Sequence, residues 1–322
     1  MHTIVNPTPF HAALDVLPDR AGVATLHVAL KATFRVGPRL EVADVQVPIR
    51  AIDEYEGDPT ASALRYPGER HLACPGTAVI VIGSAHAPKL RAVPTLDVAL
   101  ELADVRKTVR VHGDRRWQRG ASQASAAEPF TTMPLVYSRA SGGPDDPRNP
   151  VGVGRREGRD LAGAPLPNLE DPRRPYVEHG ERAPPMCLAA LAPHWSPRQQ
   201  LAGTFDAAWR RARAPYLPDD LDPRFFHAAP PDQICARPLV GGEVLALTHA
   251  SPEPLRFALP TLAWALHATI AGADHPLAPR LETVLLEPDA QRMTMLWRAT
   301  LAVDRRELEI DAVTVDLREH RT

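Results

Sequence analysis

The distribution of proline constrains this chain most. Of its 35 prolines, nineteen fall between Pro129 and Pro238. Proline fixes φ and carries no N–H, so such a segment excludes long helices and the inner strands of a sheet. Usage of about twice the ordinary 5% could mean disorder, but aromatic and aliphatic residues continue through the stretch. The middle of the chain is therefore expected to be ordered, extended and irregular, over residues 121–238. Its densest part surrounds Pro215, Pro218, Pro223, Pro230 and Pro231 and is rich in charge and aromatic rings.

The blocks on either side read as β. In ATLHVALKATFRV, the residues Leu26, Val28, Leu30, Ala32, Phe34 and Val36 alternate with polar ones, which predicts a strand with one buried face. The run Thr77–Gly83 suits a buried central strand, and Thr95–Gly113 a hairpin turning at Ala103 and Asp104. In the C-terminal block, LETVLLEPDAQRMTMLWRATLAV predicts two strands about Glu287-Pro288-Asp289, and ELEIDAVTVDL a last one. TLAWALHATI is rich in alanine, yet its larger apolar residues keep period two, so strand is preferred. The only helical candidate is short, Thr204 to Ala214. The expected fold is mainly β: a composite β-sandwich-like body, with strands supplied by residues 1–120 and 239–322 of a single domain.

At 322 residues the chain can bury a core without disulfide or metal staples. Its 37 basic and 39 acidic residues are mixed, with no basic stripe for nucleic acid or an anionic membrane. No apolar run is long enough to span a bilayer, and the first ten residues do not read as a signal peptide. Cys74, Cys187 and Cys235 are odd in number and far apart, as suits reduced thiols in a cytoplasm. The thirteen histidines form no H-x-x-x-H or H-E-x-x-H pair, and no phosphate-binding glycine loop is present. No metal and no cofactor are expected.

Two clusters could carry chemistry. Asp53, Glu54, Glu56 and Asp58 gather four carboxylates, and His112 with Asp114 could form a base and its orienter. Together they define a rival hydrolase or lyase reading. The bland alternatives are a solvated acidic turn and a braced strand exit, and no nucleophile stands at motif spacing. A third reading is a purely structural interaction module. Asn6, Asn149 and Asn168 sit among prolines and glycines, where their side chains are expected to fix irregular loops.

Taken in order, NPTPF, LKATFRV, DEYEGDP, GSAHAP, VHGDRRW, MPLVYSRASGG, RNPVGVG, LPNLEDP, PHWSPR, the segment Gly203–Gln233, LVGGEVLAL and LLEPDAQRMTMLWRA resemble one bacterial family. That family is the domain of unknown function 2169, typically encoded beside type VI secretion genes. Glu56, Ala63, Cys74, Ala78 and Ser141 depart from its usual pattern. The resemblance implies an adaptor or chaperone that binds a cognate effector and helps load it onto a VgrG or PAAR spike protein. It brings no catalytic residues with it. A binding role requires exposed apolar anchors with a polar rim. The expected anchors are Trp195, Trp209, Tyr216, Phe225 and Phe226, with Arg210, Arg211, Asp219 and Asp220 around them. The bland alternative is that these rings belong to the core.

Overall fold

The computed structural model describes residues 3–37, 39–118, 123–154 and 162–321. Its larger strands are β1 (Thr3–Val5), β2 (His11–Pro18), β3 (Ala24–Arg35), β4 (Thr77–Val81), β5 (Thr95–Leu102), β6 (Val105–His112), β7 (Val244–Thr248), β8 (Leu255–Ala258), β9 (Thr261–Ile270), β10 (Ala273–Leu277), β11 (Arg280–Glu287), β12 (Arg292–Ala302) and β13 (Ile310–Arg321). Each strand expected from alternation is present, including the alanine-rich β9. There, cross-strand packing of Leu262, Leu266, Ala268 and Ile270 outweighs the helical preference of alanine.

The two terminal blocks build the sheets together. The largest sheet has seven strands and runs Ile234–Cys235, β4, β11, β12, β3, β2, with Glu41–Val42 paired to the end of β3. β4 lies parallel to β11, and β12 pairs with β3 over eleven residues, from Arg292–Arg35 to Ala302–Thr25. A five-stranded sheet runs Leu169–Glu170, β6, β5, β7, β8, and a four-stranded one β1, β13, β9, β10. Every one of these sheets mixes strands from both ends of the chain. Among the described residues the fold is mainly β and composite, without a barrel.

One apolar cluster runs through these layers. Between the seven- and four-stranded sheets, Trp264 meets Phe10 and Trp297 edge-on, at centroid distances of 5.7 and 5.5 Å. The prolines of the middle segment leave room among the described residues for strands of two or three residues only, so side chains satisfy much of its backbone instead. Asn149 Nδ2 donates to the carbonyls of Tyr137 and Ser141 at 2.8 and 2.9 Å. Asn168 Nδ2 donates to the His112 carbonyl at 3.1 Å, and Gln233 Nε2 bridges the Val79 and Leu188 carbonyls. Asn6 Nδ2 likewise holds the Phe10 carbonyl at 2.7 Å.

One expectation fails in an informative way. The alternation in β3 predicts a single buried face, yet the strand is buried on both. Residues 43–76 fold over the polar face, where Lys31 lies fully buried and bonds Glu69 at 2.6 Å. Next to it, Arg298 of β12 forks onto Glu282 of β11, with Nε at 2.9 Å and Nη2 at 2.9 Å. Polar residues alternate with apolar ones here because they pair under a cover.

Candidate functional site

Residues 202–226 form a lobe on the surface, and its order is local. Asp206 caps the short helix Ala207–Ala212 by accepting from Trp209 N at 2.8 Å. Asp220 accepts from the Thr204 N–H and hydroxyl at 2.9 and 2.7 Å, which ties the two ends of the lobe. Those bonds hold the Asp220 carboxyl below its usual range. Trp209 Nε1 donates to the Tyr216 carbonyl at 2.9 Å.

The lobe leans on the turn between β2 and β3. The Tyr216 ring covers Gly22, whose φ of +84° favours glycine. Arg213 donates to the Arg20 carbonyl, and Arg20 Nη1 to the Leu221 carbonyl at 3.3 Å. Above these contacts Phe205, Trp209 and Tyr216 make an aromatic surface. Phe205 meets Trp209 edge-on at 4.8 Å and is 52% exposed, and Tyr216 is 43% exposed. Arg210 and Arg211 are exposed beside it, with no ion pair among the described residues, whereas Asp219 pairs with Arg213 at 3.2 Å.

The sequence candidates thus separate. Trp209, Tyr216, Arg210, Arg211, Asp219 and Asp220 share the lobe surface. Trp195 does not: it is 1% exposed, packs edge-on against Tyr137 at 5.5 Å and donates to His194 Nε2. As an anchor at the surface it is corrected to core. Phe225 and Phe226 are half-buried, with Phe226 stacked on His71 at 5.4 Å and Phe225 beneath Arg198. They fasten the end of the lobe to the body. Phe205 was missed, though its four-residue spacing from Trp209 signals a shared face around a helix start.

The rival chemistry is not assembled among the described residues. His112 Nε2 faces Glu170 at 2.5 Å and its Nδ1 faces Thr95 Oγ1 at 2.9 Å, while Asp114 accepts from Asn168 at 3.0 Å. Burial alone would raise the Glu170 carboxyl, but His112, the Tyr176 amide and Arg115 hold it below its usual range. Each carboxylate of the acidic cluster has a local task. Asp53 accepts from Gly68 N, Asp58 from Thr60, and Glu54 and Glu56 pair with Arg50 and Arg65. Asp114 is therefore a brace for the strand exit.

Cys74 is the remaining reactive type, with Sγ 3.4 Å from His227 Nδ1. It borders a cavity of about 360 Å³ lined by Glu282 and Arg298. Burial drives the thiol well above its ordinary range and lowers His227. A neutral thiol beside a neutral imidazole is a packing contact rather than a nucleophile. Among the described residues no His, Cys, Asp and Glu cluster is arranged for a metal ion, and no helix is long and apolar enough to cross a membrane.

The model of one family, described as uncharacterized protein conserved in bacteria (DUF2169), matches residues 21–298. No curated protein and no solved structure matches the chain.

Proposed function

The chain belongs to this bacterial family, and from that premise and its aromatic lobe we propose that it works by binding a polypeptide: an adaptor or chaperone that holds a cognate type VI secretion effector and helps load it onto the VgrG or PAAR spike. The observation that carries this reading is the aromatic cluster of the lobe, with Phe205 and Tyr216 exposed and Trp209 half-buried, and with Arg210 and Arg211 beside it. Large rings left in water cost stability, and aromatic and arginine side chains dominate binding hot spots. The cluster is also prepared in advance. The Asp206 cap, the Asp220 tie and the Trp209–Tyr216 bond fix the rings before a partner arrives, which lowers the entropy lost on binding.

Co-expression of the chain with products of its neighbouring genes tests the reading. The parent is expected to co-purify with an effector. The Phe205→Ala/Trp209→Ala variant should melt within a few degrees of the parent and lose capture. With each ring contributing about 2 kcal/mol, the affinity falls by about a thousandfold. Retained capture by the folded double variant would move the site off the lobe. Failure of the parent to capture any neighbouring product would remove the adaptor reading.

A further inference from the structure

β2 closes one side of the seven-stranded sheet. It pairs with β3 from His11–Lys31 to Pro18–Ala24, and among the described residues no strand pairs with its other side. Pro18 settles which groups point outwards. Proline has no N–H, so Pro18–Ala24 cannot be a hydrogen-bonded pair. Asp19 N donating to the Val23 carbonyl at 2.9 Å is in step with that. Antiparallel pairs alternate, so His11, Ala13, Asp15 and Leu17 bond to β3. Ala12, Leu14 and Val16 turn three N–H and three C=O groups away from the sheet.

An edge of this length is ordinarily blunted by proline, charged side chains or a bulge. From His11 to Leu17 there is no proline, lysine or bulge, and Asp15 is the one carboxylate. The two titratable side chains of the edge are also occupied. Arg70 binds Asp15, and His11 Nε2 lies 3.2 Å from the Gln46 carbonyl. Ala12, Leu14 and Val16 pack partly against the core, at the seam between the sheets.

We propose that this edge pairs antiparallel with the same edge of a second copy of the chain, about a twofold axis at Leu14. In that register Leu14 faces Leu14 of the second copy and Ala12 faces Val16, so all six outward groups of each copy are bonded. The apolar residues meet at the seam, a small side chain opposite a larger one. On the other face Ala13 meets Asp15, and His11 meets Leu17. An axis at Asp15 would instead oppose two carboxylates, and one at Ala13 would leave Val16 facing Phe10, outside the strand. Centring on Leu14 satisfies the edge with no like charges opposed.

Light scattering on the full chain reads the outcome directly. The parent is expected at twice the 35.1 kDa of one chain. Ala12→Pro removes an outward N–H that bonds nothing within the chain, so it should melt within a few degrees of the parent and run at 35.1 kDa. Ala13→Pro removes an N–H bonded to β3 and should lower the melting temperature, which confirms the assignment of inward and outward groups. Hydrogen exchange gives a second readout: the Ala12, Leu14 and Val16 amides should exchange slowly in the dimer and quickly on dilution. A monomeric parent would overturn the proposal, as would a dimer that survives Ala12→Pro. A dimer in which these three amides exchange freely would overturn it as well.

Discussion

Lys31 Nζ sits 2.6 and 2.8 Å from the two carboxylate oxygens of Glu69, with the lysine wholly buried beneath residues 43–76. Burial pulls the ammonium below its ordinary range, and Glu69 opposes that shift. The pair fastens an irregular segment to the polar face of β3. Glu69 Oε2 also accepts from the Arg50 N–H at 2.7 Å, so the same carboxylate orders the covering backbone.

Breaking this pair from one side should be costly. Lys31→Met leaves Glu69 buried with only part of its partners, and a loss of about 3–5 kcal/mol is expected in urea denaturation. Lys31→Met/Glu69→Leu should recover much of that loss, because it removes the stranded charge. A double variant as unstable as the single would point to lost packing as the cause.

Acid should unfold the protein through its buried histidines. His27 is held neutral by burial and by Arg298, with its pKa lowered from 6.5 to about 4. The unfolded chain therefore binds more protons between those values, and stability falls as pH drops from 6.5 to 4. A shift of that size corresponds to about 3 kcal/mol at full development. His71 is lowered to about 4 as well, chiefly by burial. Neither ring nitrogen of His27 has a partner among the described residues. His27→Leu is thus expected to match or exceed the parent at neutral pH and to flatten the acid limb of melting curves taken across this window.

The two tryptophans of the middle segment should respond oppositely to truncation. Trp195→Ala opens a cavity in the core and should cost about 3–5 kcal/mol. Trp209→Ala lies on the lobe surface and should cost about 1 kcal/mol, mostly the bond to Tyr216. Similar losses at both sites would show that the lobe is part of the cooperative core.

Residues 1–120 should not fold alone. The fragment keeps β3 and β4 but loses β12 and β11, the strands that lie between them. A cooperative thermal transition for the isolated fragment, followed by circular dichroism, would contradict the composite sheet.

The sequence by itself determined the elements. Period-two alternation located β3, β5, β6 and β9, because a strand's side chains must alternate whatever its neighbours are, and the turn signal Glu287-Pro288-Asp289 separated β11 from β12. Proline density marked the irregular middle, since a residue without an N–H excludes a ladder locally. Turn asparagines such as Asn149 and Asn168 were legible for the same local reason. The partners of those elements were decided only by tertiary structure. Glu69 and Lys31 are 38 positions apart, Arg298 reaches the Glu69 carbonyl across 229, and His112 meets Glu170 rather than the nearby Asp114. Local pattern reports how strongly a residue prefers burial, not which distant group will compensate it. That is why polar Lys31 and His27 read as a solvated face and proved to be covered. It is also why Trp195 and Trp209, alike in type and surroundings along the chain, separate into core and surface. Exposure belongs to the packing of segments brought together from the whole chain, and no window of neighbouring residues contains it.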